Sequence, residues 1–392
     1  MNNVGVYIQV PFCQTKCTYC NFHTGVVSPK RYAPYAAAVR REIESFFEDG
    51  HSTGETFYGC IDTVYFGGGT PSLLEAAELR GMLESLRPRF AAASEPEATL
   101  EADPETIHSA KAAAWREAGF NRISLGAQSF NDRELRAAGR MHRRADIFAA
   151  VRTLREAGLE NVSIDLIAGL PHQTRDTWGE SLSELLEIRP EHVSVYMLEI
   201  DEGSRLGRES LEGGSRYSAG ALPDDDATAE FYESARTRLA QGGYEHYEIS
   251  NFALPGKRSR HNLKYWRREP YLGFGAGAHS FDGITRWANL HDAARYVAGI
   301  EQGISTREQV ETVTRTQALE EEFFLGLRLL DGIDLDKIER NYANDLGAQL
   351  GALRKRLSGL RDQGLVEMDG PRVRLAPGRL TVSNEVFTEL IG

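Results

Sequence analysis

Short apolar runs alternate with amphipathic helical runs over the first two-thirds of the chain. The apolar runs are rich in Val, Ile, Leu, Tyr and Phe, which is typical of β-strands. Six strands are predicted, at 5–10, 62–66, 98–102, 122–126, 162–167 and 192–198. The intervening runs have helical periodicity. Helices are predicted there at 33–47, 74–86, 104–118, 146–157 and 177–188. Such alternation indicates a parallel sheet with right-handed crossovers.

Six strand–helix units predict an α/β fold class, with a partial (β/α)6 barrel that is open on one side. A closed barrel of this type would need eight units, and its site would gather at the carboxyl ends of the strands. Polar or glycine residues follow or lie in three of the predicted strands, at 67–69, Gln128 and Asp165. We therefore expect these positions to converge on one mouth.

The pattern changes in the last third of the chain. Segment 202–226 is rich in Gly and Ser and is predicted to be a loop, with a helix at 227–241 after it. Beyond about residue 312 the sequence favours a small α+β, winged-helix-like C-terminal domain. Its helices are predicted at 316–330, 334–342 and 346–363, and a strand, turn and strand within 364–375.

Composition and charge limit the classes of function. The 392 residues contain 57 Asp and Glu against 45 Lys and Arg, and the net charge of −12 argues against broad nucleic-acid binding. No stretch approaches the roughly 18 consecutive apolar residues of a membrane span, and the N-terminus lacks the pattern of a signal peptide. Four cysteines do not suggest a secreted disulfide framework. We therefore expect a cytoplasmic protein.

Three of the four cysteines lie within eight residues near the N-terminus. Cys13, Cys17 and Cys20 have the spacing C-x-x-x-C-x-x-C. Iron–sulfur clusters are usually held by four thiolates, so three on one loop predict a 4Fe–4S cluster with one iron left vacant. Cys60 is interpreted as an ordinary small buried residue. The alternative is a zinc site with His23 as the fourth ligand, since structural zinc sites take four ligands.

The residues around these cysteines resemble the radical SAM superfamily. The matching stretches are Tyr-Ile-Gln-Val-Pro-Phe-Cys at 7–13 and Tyr-Cys-Asn-Phe at 19–22. More closely, nearly the whole chain is similar to the branch containing oxygen-independent coproporphyrinogen oxidases and HemW-type heme chaperones. The resemblance implies that S-adenosylmethionine (SAM) binds the vacant iron and is cleaved to a 5′-deoxyadenosyl radical. It implies a radical SAM barrel with a heme-motif extension at 1–300 and a HemN-type domain at 312–392.

The same resemblance implies which residues hold SAM. The run Gly-Gly-Gly-Thr-Pro-Ser at 67–72 matches the motif for the methionine amino group, which selects Gly68, Gly69 and Thr70. Tyr7 would lie beside the cluster and SAM. Four further contacts match by motif and spacing: Glu101, Gln128, Arg140 and Asp165. A guanidinium suits the methionine carboxylate, and the other three suit ribose hydroxyls or the ammonium group.

A second motif resembles the HemW-type chaperones, in which it is associated with heme binding. The stretch 260–266, Arg-His-Asn-Leu-Lys-Tyr-Trp, carries the signature H-N-x-x-Y-W and selects His261 as a heme-binding residue. A histidine nitrogen is a standard axial ligand of heme iron, and His279 is a second candidate. Six basic residues are available to pair the propionates, or form a solvated loop: Lys257, Arg258, Arg260, Lys264, Arg267 and Arg268.

Two departures favour the chaperones over the oxidases. Phe22 stands where the oxidase pattern has a fourth cysteine, and only twelve residues precede Cys13. The leading hypothesis is a heme chaperone that transfers heme to acceptor apo-proteins, with a 4Fe–4S cluster, SAM and heme as cofactors. No residue is assigned a catalytic role. The alternative is an oxygen-independent coproporphyrinogen III oxidase, or a related radical SAM methyltransferase acting on a tetrapyrrole. A homodimer and a peripheral membrane contact through the basic segment are left open.

Overall fold

The computed structural model describes residues 3–48, 60–90 and 96–391. Most of its strands form one large sheet. They are β1 (Val4–Val10), β2 (Ile61–Gly68), β3 (Glu97–Ala102), β4 (Arg122–Gln128), β5 (Asn161–Ala168), β6 (His192–Met197), β7 (Glu245–Glu248), β8 (Asn251–Ala253), β9 (Tyr271–Phe274), β10 (His279–Phe281), β11 (Thr285–Asn289) and β12 (Arg307–Thr312).

Strands β1 to β6 pair in parallel in chain order, and β9 pairs in parallel with the free side of β1. Antiparallel strands extend the sheet on both sides, in the order β12-β11-β10-β9-β1-β2-β3-β4-β5-β6-β8-β7. Within the described residues the outer strands β12 and β7 do not pair with each other, so the sheet stays open. The expected α/β fold with a partial barrel is confirmed.

Helices follow the strands along the chain. They are α1 (Tyr32–Glu48), α2 (Ala76–Leu86), α3 (Ser109–Ala118), α4 (Asp132–Ala137), α5 (Arg144–Glu156), α6 (Arg175–Ile188), α7 (Arg205–Leu211), α8 (Asp225–Gln241), α9 (Arg260–Trp266) and α10 (Ala293–Glu301). Most pack on the outer face of the sheet, whereas α7 and α9 lie at its two ends. Strand β1 shows the resulting alternation: Val6, Ile8 and Val10 are fully buried, whereas Tyr7 and Gln9 are half-buried. Aliphatic side chains thus build the core, and the intervening polar and aromatic ones face the inside of the barrel.

The last part of the chain packs three helices around a small sheet. The helices are α11 (Arg315–Gly326), α12 (Leu335–Asp362) and α13 (Ser383–Leu390), and the strands are β13 (Ile333–Asp334), β14 (Val366–Asp369) and β15 (Arg372–Leu375). The sheet is antiparallel in the order β13-β15-β14. In the ranges the structure describes, no helix has both the length and the apolarity needed to cross a bilayer.

Two local predictions were wrong. The predicted loop 202–226 contains α7, because the Ser204 side chain caps it by accepting a hydrogen bond from the Gly207 backbone (2.8 Å). The helices predicted at 334–342 and 346–363 form the single helix α12, kinked where Leu346 adopts φ −126° and ψ 29°. A row of buried apolar side chains, mostly leucines, continues past this kink and holds both halves on the same core.

Candidate functional site

A cavity of about 460 Å³ opens at the carboxyl ends of the parallel strands. Its lining contains all three clustered cysteines and seven other predicted site residues. The predicted residues in this lining are Cys13, Cys17, Cys20, Gly68, Gly69, Thr70, Glu101, Gln128, Arg140 and Asp165. The structure therefore brings together every predicted site residue except Tyr7 and the two heme candidates, His261 and His279.

The cysteine loop between β1 and α1 is held at its base and at its tip. At the base, the backbone amide of Cys13 donates to the carbonyl of Gly25 (3.0 Å). At the tip, the amide of Thr18 donates to the carbonyl of Ala138 (3.0 Å), and the carbonyl of Thr18 accepts from the amide of Leu206 (2.8 Å). Backbone bonds thus fix the loop across the mouth of the barrel.

The donor set of this loop fits an iron–sulfur cluster. Cys13, Cys17 and Cys20 are free thiols that line one cavity, which suits three thiolate ligands on different irons. A zinc ion shared with His23 finds no support in the described part of the chain. There, no group of three or more His, Cys, Asp or Glu side chains is arranged to hold a single metal ion.

The glycine run at the end of β2 packs against the start of the cysteine loop. Gly68 has φ +110°, a conformation that favours glycine, and its amide donates to the Glu101 carboxylate (3.0 Å). A Cβ at Gly69 would lie 2.5 Å from the carbonyl oxygen of Phe12. The close approach of the two loops therefore requires glycine at both positions.

Two carboxylates face the cavity from β3 and β5, the strands on either side of β4. Burial and the charge of Asp165 raise the pKa of Glu101 to about 7, although Tyr65 donates a hydrogen bond to Glu101 (3.0 Å). Burial also raises the pKa of Asp165, against the hydrogen bonds from Ser194 and Ser124. Such a pair favours a cationic or hydroxyl-bearing ligand, because either would relieve the repulsion between the two carboxylates.

Arg140 is positioned by a residue that the sequence analysis missed. Its guanidinium forms an ion pair with Asp103 and donates to the carbonyl of Gly126 (2.8 Å) and to Cys17 Sγ (3.4 Å). Burial opposes the charge of Arg140, but Asp103 outweighs this effect and the pKa of Arg140 is raised. Thr70 also donates to Asp103 (3.0 Å). The signal was the position of Asp103 at the end of a strand, two residues after Glu101.

Gln128 enters the cavity from an irregular end of β4. Its φ is +69°, and the register of β4 against β5 shifts between Leu125 and Gln128. Non-glycine residues in this conformation cost conformational energy and are concentrated at functional sites. The shift turns the Gln128 side chain towards the pocket.

Tyr7 lies one layer deeper in the barrel than the cavity. Its ring stacks on that of Tyr65 with centroids 6.0 Å apart, and burial raises the pKa of its hydroxyl well above the usual value. A Cβ at Gly67 would lie 2.8 Å from the Tyr7 hydroxyl oxygen and 3.0 Å from Glu101 Oε1. Tyr7 therefore supports the floor beneath the glycine run.

His261 lies at the opposite, amino end of the barrel, on α9. It is only 1% exposed, with Nδ1 2.9 Å from Thr63 Oγ1 and Nε2 2.8 Å from the Tyr265 hydroxyl. Its backbone amide donates to the Glu97 carboxylate at the start of β3 (3.0 Å). Burial lowers the pKa of His261 to about 3. Both ring nitrogens are thus engaged inside the protein.

Most basic residues around His261 are used in internal ion pairs. These pairs are Arg258 with Glu245 and Asp331, Arg260 with Asp62, Lys264 with Asp62 and Glu269, and Arg268 with Glu321. Trp266 lies under the guanidinium of Arg328, whose carbon is 4.3 Å from the ring centroid. The segment therefore closes the amino end of the barrel. His279, the second predicted heme candidate, is exposed on β10 near His291.

Comparison with known families agrees with this architecture. Residues 7–185 match the radical SAM superfamily, and residues 313–378 match the HemN C-terminal domain. The chain is 34% identical over 388 residues to the heme chaperone HemW of Bacillus subtilis, covering 98% of each chain. It is 31% identical to the heme chaperone HemW of Lactococcus lactis, covering 98% of this chain and 96% of the relative.

A solved structure shares the fold. It is coproporphyrinogen III oxidase (HemN) from Escherichia coli, a radical SAM enzyme, with a TM-score of 0.83 and 23% sequence identity. The match covers 99% of this chain and 90% of that chain. At this identity the likeness establishes the fold of the two chains and not a common activity.

Proposed function

The chain belongs to the HemW family within the radical SAM superfamily, and from that premise we propose that it binds heme and transfers it to acceptor proteins. The observation that carries this proposal is the full-length similarity to heme chaperones, with 34% identity over 98% of each chain. The acceptors in this proposal are apo-proteins that require heme.

In this proposal the cavity at the carboxyl end holds the cluster and SAM. Cys13, Cys17 and Cys20 bind the cluster, and when bound it supplies an electron for cleaving the sulfonium C–S bond of SAM. Gly68, Gly69 and Thr70 face the methionine amino group, and Arg140 faces its carboxylate. Glu101, Gln128 and Asp165 accept from the ribose hydroxyls or the ammonium group, with Tyr7 beneath them. Support comes from their common position around one cavity of about 460 Å³.

A second candidate function is a radical reaction on a tetrapyrrole, as an oxidase or a methyltransferase. The position of every predicted SAM contact except Tyr7 around one cavity favours this candidate. Phe22 opposes an oxidase, because this side chain is 66% exposed where the oxidase pattern has a cysteine. The chaperone is therefore the leading proposal.

One anaerobic experiment tests both functions. The cluster-reconstituted protein is titrated with hemin and followed by the Soret band, and a parallel sample receives SAM, a reductant and coproporphyrinogen. We expect saturable heme binding, transfer of heme to an apo-protein added in excess, and no decarboxylated tetrapyrrole. Absence of a Soret shift would refute the chaperone, whereas decarboxylated product would establish the oxidase.

We further propose a cytoplasmic location, which rests on four cysteines that are all free thiols in the structure.

Any contact with a membrane surface would be made by Lys257 and Arg267. Within the described residues, these are the two cations of segment 257–268 that no ion pair holds. A homodimer is tested by measuring the mass of the reconstituted protein in solution.

A further inference from the structure

Three histidines meet beside the cysteine loop, far from the H-N-x-x-Y-W motif. The rings of His23 and His291 have centroids 4.6 Å apart, and those of His279 and His291 are 6.4 Å apart. His23 lies three residues after Cys20 and is exposed. The three residues come from the cysteine loop, β10 and the turn after β11, so only the fold brings them together.

The ring of His291 packs against the ring of His23. Its Nδ1 is buried and has no hydrogen-bond partner among the described residues, and a Cβ at Gly277 would lie 3.0 Å from this atom. His291 is therefore held against the protein by packing. This arrangement fixes the neighbouring His23 ring without using the nitrogens of His23.

The surface next to His23 has both parts that a porphyrin requires. Phe22 and Val26, on the same loop, are 66% and 60% exposed and offer an apolar surface. The Lys16 ammonium group lies 3.3 Å from the carbonyl oxygen of Phe22, which places a cation at the edge of that surface. A heme is a flat apolar ring with two carboxylates at one edge, so these side chains match its chemistry.

We propose that His23 is the axial ligand of the bound heme iron, with the ring against Phe22 and a propionate near Lys16. This inference rests on the heme binding proposed above. His291 is a positioning residue that acts through His23. The heme would then lie beside the cysteine loop, at the end of the barrel where the SAM cavity opens.

The number of ligands favours heme over a bare metal ion. In the part of the chain that the structure describes, no group of three or more His, Cys, Asp or Glu side chains can hold a single ion. Heme brings four equatorial nitrogens and takes only one or two ligands from the protein. An exposed histidine is sufficient for heme, and it also permits rapid release to an acceptor.

His261 is a poorer ligand in this structure because the nitrogen that binds the iron would first have to give up its hydrogen bond inside the protein. Its nitrogens are 2.9 Å from Thr63 Oγ1 and 2.8 Å from the Tyr265 hydroxyl, and the side chain is buried. Iron ligation there would also require opening the amino end of the barrel. His23 is solvent-exposed and needs neither step.

The test compares heme binding by the cluster-reconstituted full chain and its variants. Hemin is titrated into wild type, His23→Gly and His261→Gln, with His108→Ala as a control for loss of an exposed histidine at the start of α3. Difference spectra give the Kd, and electron paramagnetic resonance gives the spin state of the ferric heme. We expect His23→Gly to weaken binding at least about tenfold and to change the spin state. Added imidazole should restore the wild-type spectrum.

The outcomes separate this inference from the proposed function. If wild type binds no heme, heme binding itself is refuted. If wild type binds heme and His23→Gly keeps its Kd and spin state, His23 is not the ligand. Loss of binding in His261→Gln, with the thermal unfolding midpoint unchanged and His23→Gly unaffected, would assign the iron to His261. Rescue of His23→Gly by imidazole would establish axial ligation, because a purely structural role is insensitive to imidazole.

Discussion

The two ends of the barrel carry similar residues and use them differently. At the amino end, His261 is hydrogen-bonded to Thr63, and Lys264 forms an ion pair with Asp62. At the carboxyl end, Glu101 and Asp165 face a cavity, and burial raises the pKa of both. Histidines, acids and aromatic residues therefore indicate a binding site only where the fold leaves their polar atoms facing space.

The amino end is closed by the short helix α9. The amides of Arg260 and His261, at the start of α9, donate to the Glu97 carboxylate at 3.1 and 3.0 Å. The start of a helix offers such unpaired amides, and Glu97 satisfies them at the first residue of β3. Here the motif 260–266 acts as part of the core, whereas the cysteine loop keeps its thiols free.

The largest effect is expected at the carboxyl end. Replacing Cys17 with Ala should abolish the cluster, so the iron content should fall from about four per chain to near zero. The measurement is iron and sulfide analysis with visible absorption after anaerobic reconstitution. Cys60→Ala is the matched control and should keep the cluster. A Cys17→Ala protein with full iron content would show that the three thiolates are not the ligands.

Acid should destabilise the amino end. The pKa of His261 is lowered from 6.5 in the unfolded chain to about 3 in the folded one, so below pH 6.5 the unfolded state binds more protons. The contribution of neutral His261 to the free energy of unfolding is complete above pH 6.5. It is lost as the pH falls towards 3, by up to about 4 kcal/mol. Denaturant unfolding at several pH values measures how the free energy of unfolding changes with pH. His261→Gln should flatten this slope, and an equal slope in both proteins would contradict the prediction.

The contact between Asp103 and Arg140 should matter for SAM affinity. Replacing Asp103 with Asn removes the ion pair that orients the guanidinium, and we expect SAM binding to weaken about tenfold. Calorimetric titration with SAM checks this. Glu105→Gln is the control, because Glu105 lies next to His142 outside the cavity lining. Equal affinities for Asp103→Asn and wild type would mean that Asp103 does not position Arg140.

The smallest effect is the pH dependence of SAM binding. The pKa of Glu101 is about 7, and only its ionised form attracts the ammonium group. SAM affinity should therefore rise by up to about eightfold between pH 6 and 7.5, as the carboxyl loses its proton. The same titration at each pH measures it. In Glu101→Gln the dependence should disappear, and a dependence that survives this change would belong to another group.

The sequence predicted the parts of the site that depend on local pattern. The strand ends predicted that 67–69, Gln128 and Asp165 converge, because parallel strands end at a common edge. The cysteine spacing predicted the cluster loop, and the resemblance to the radical SAM superfamily added Thr70, Glu101 and Arg140 to the residues that line one cavity. Asp103 was missed because its role depends on Arg140, 37 residues away. The packing of α9 and the cluster of His23, His279 and His291 depend on long-range contacts, which no short window of sequence contains.

The two backbone hydrogen bonds of Thr18 at the tip of the cysteine loop have a consequence for oxidation of the cluster. The carbonyl of Thr18 accepts from Leu206 on α7, and its amide donates to Ala138 after α4. We expect loss of the cluster in air to make the loop more mobile, and these two bonds would transmit that motion to α7 and to the segment after α4. Amide hydrogen exchange at Leu206 would then report the redox history of thiols that lie almost two hundred positions earlier in the chain.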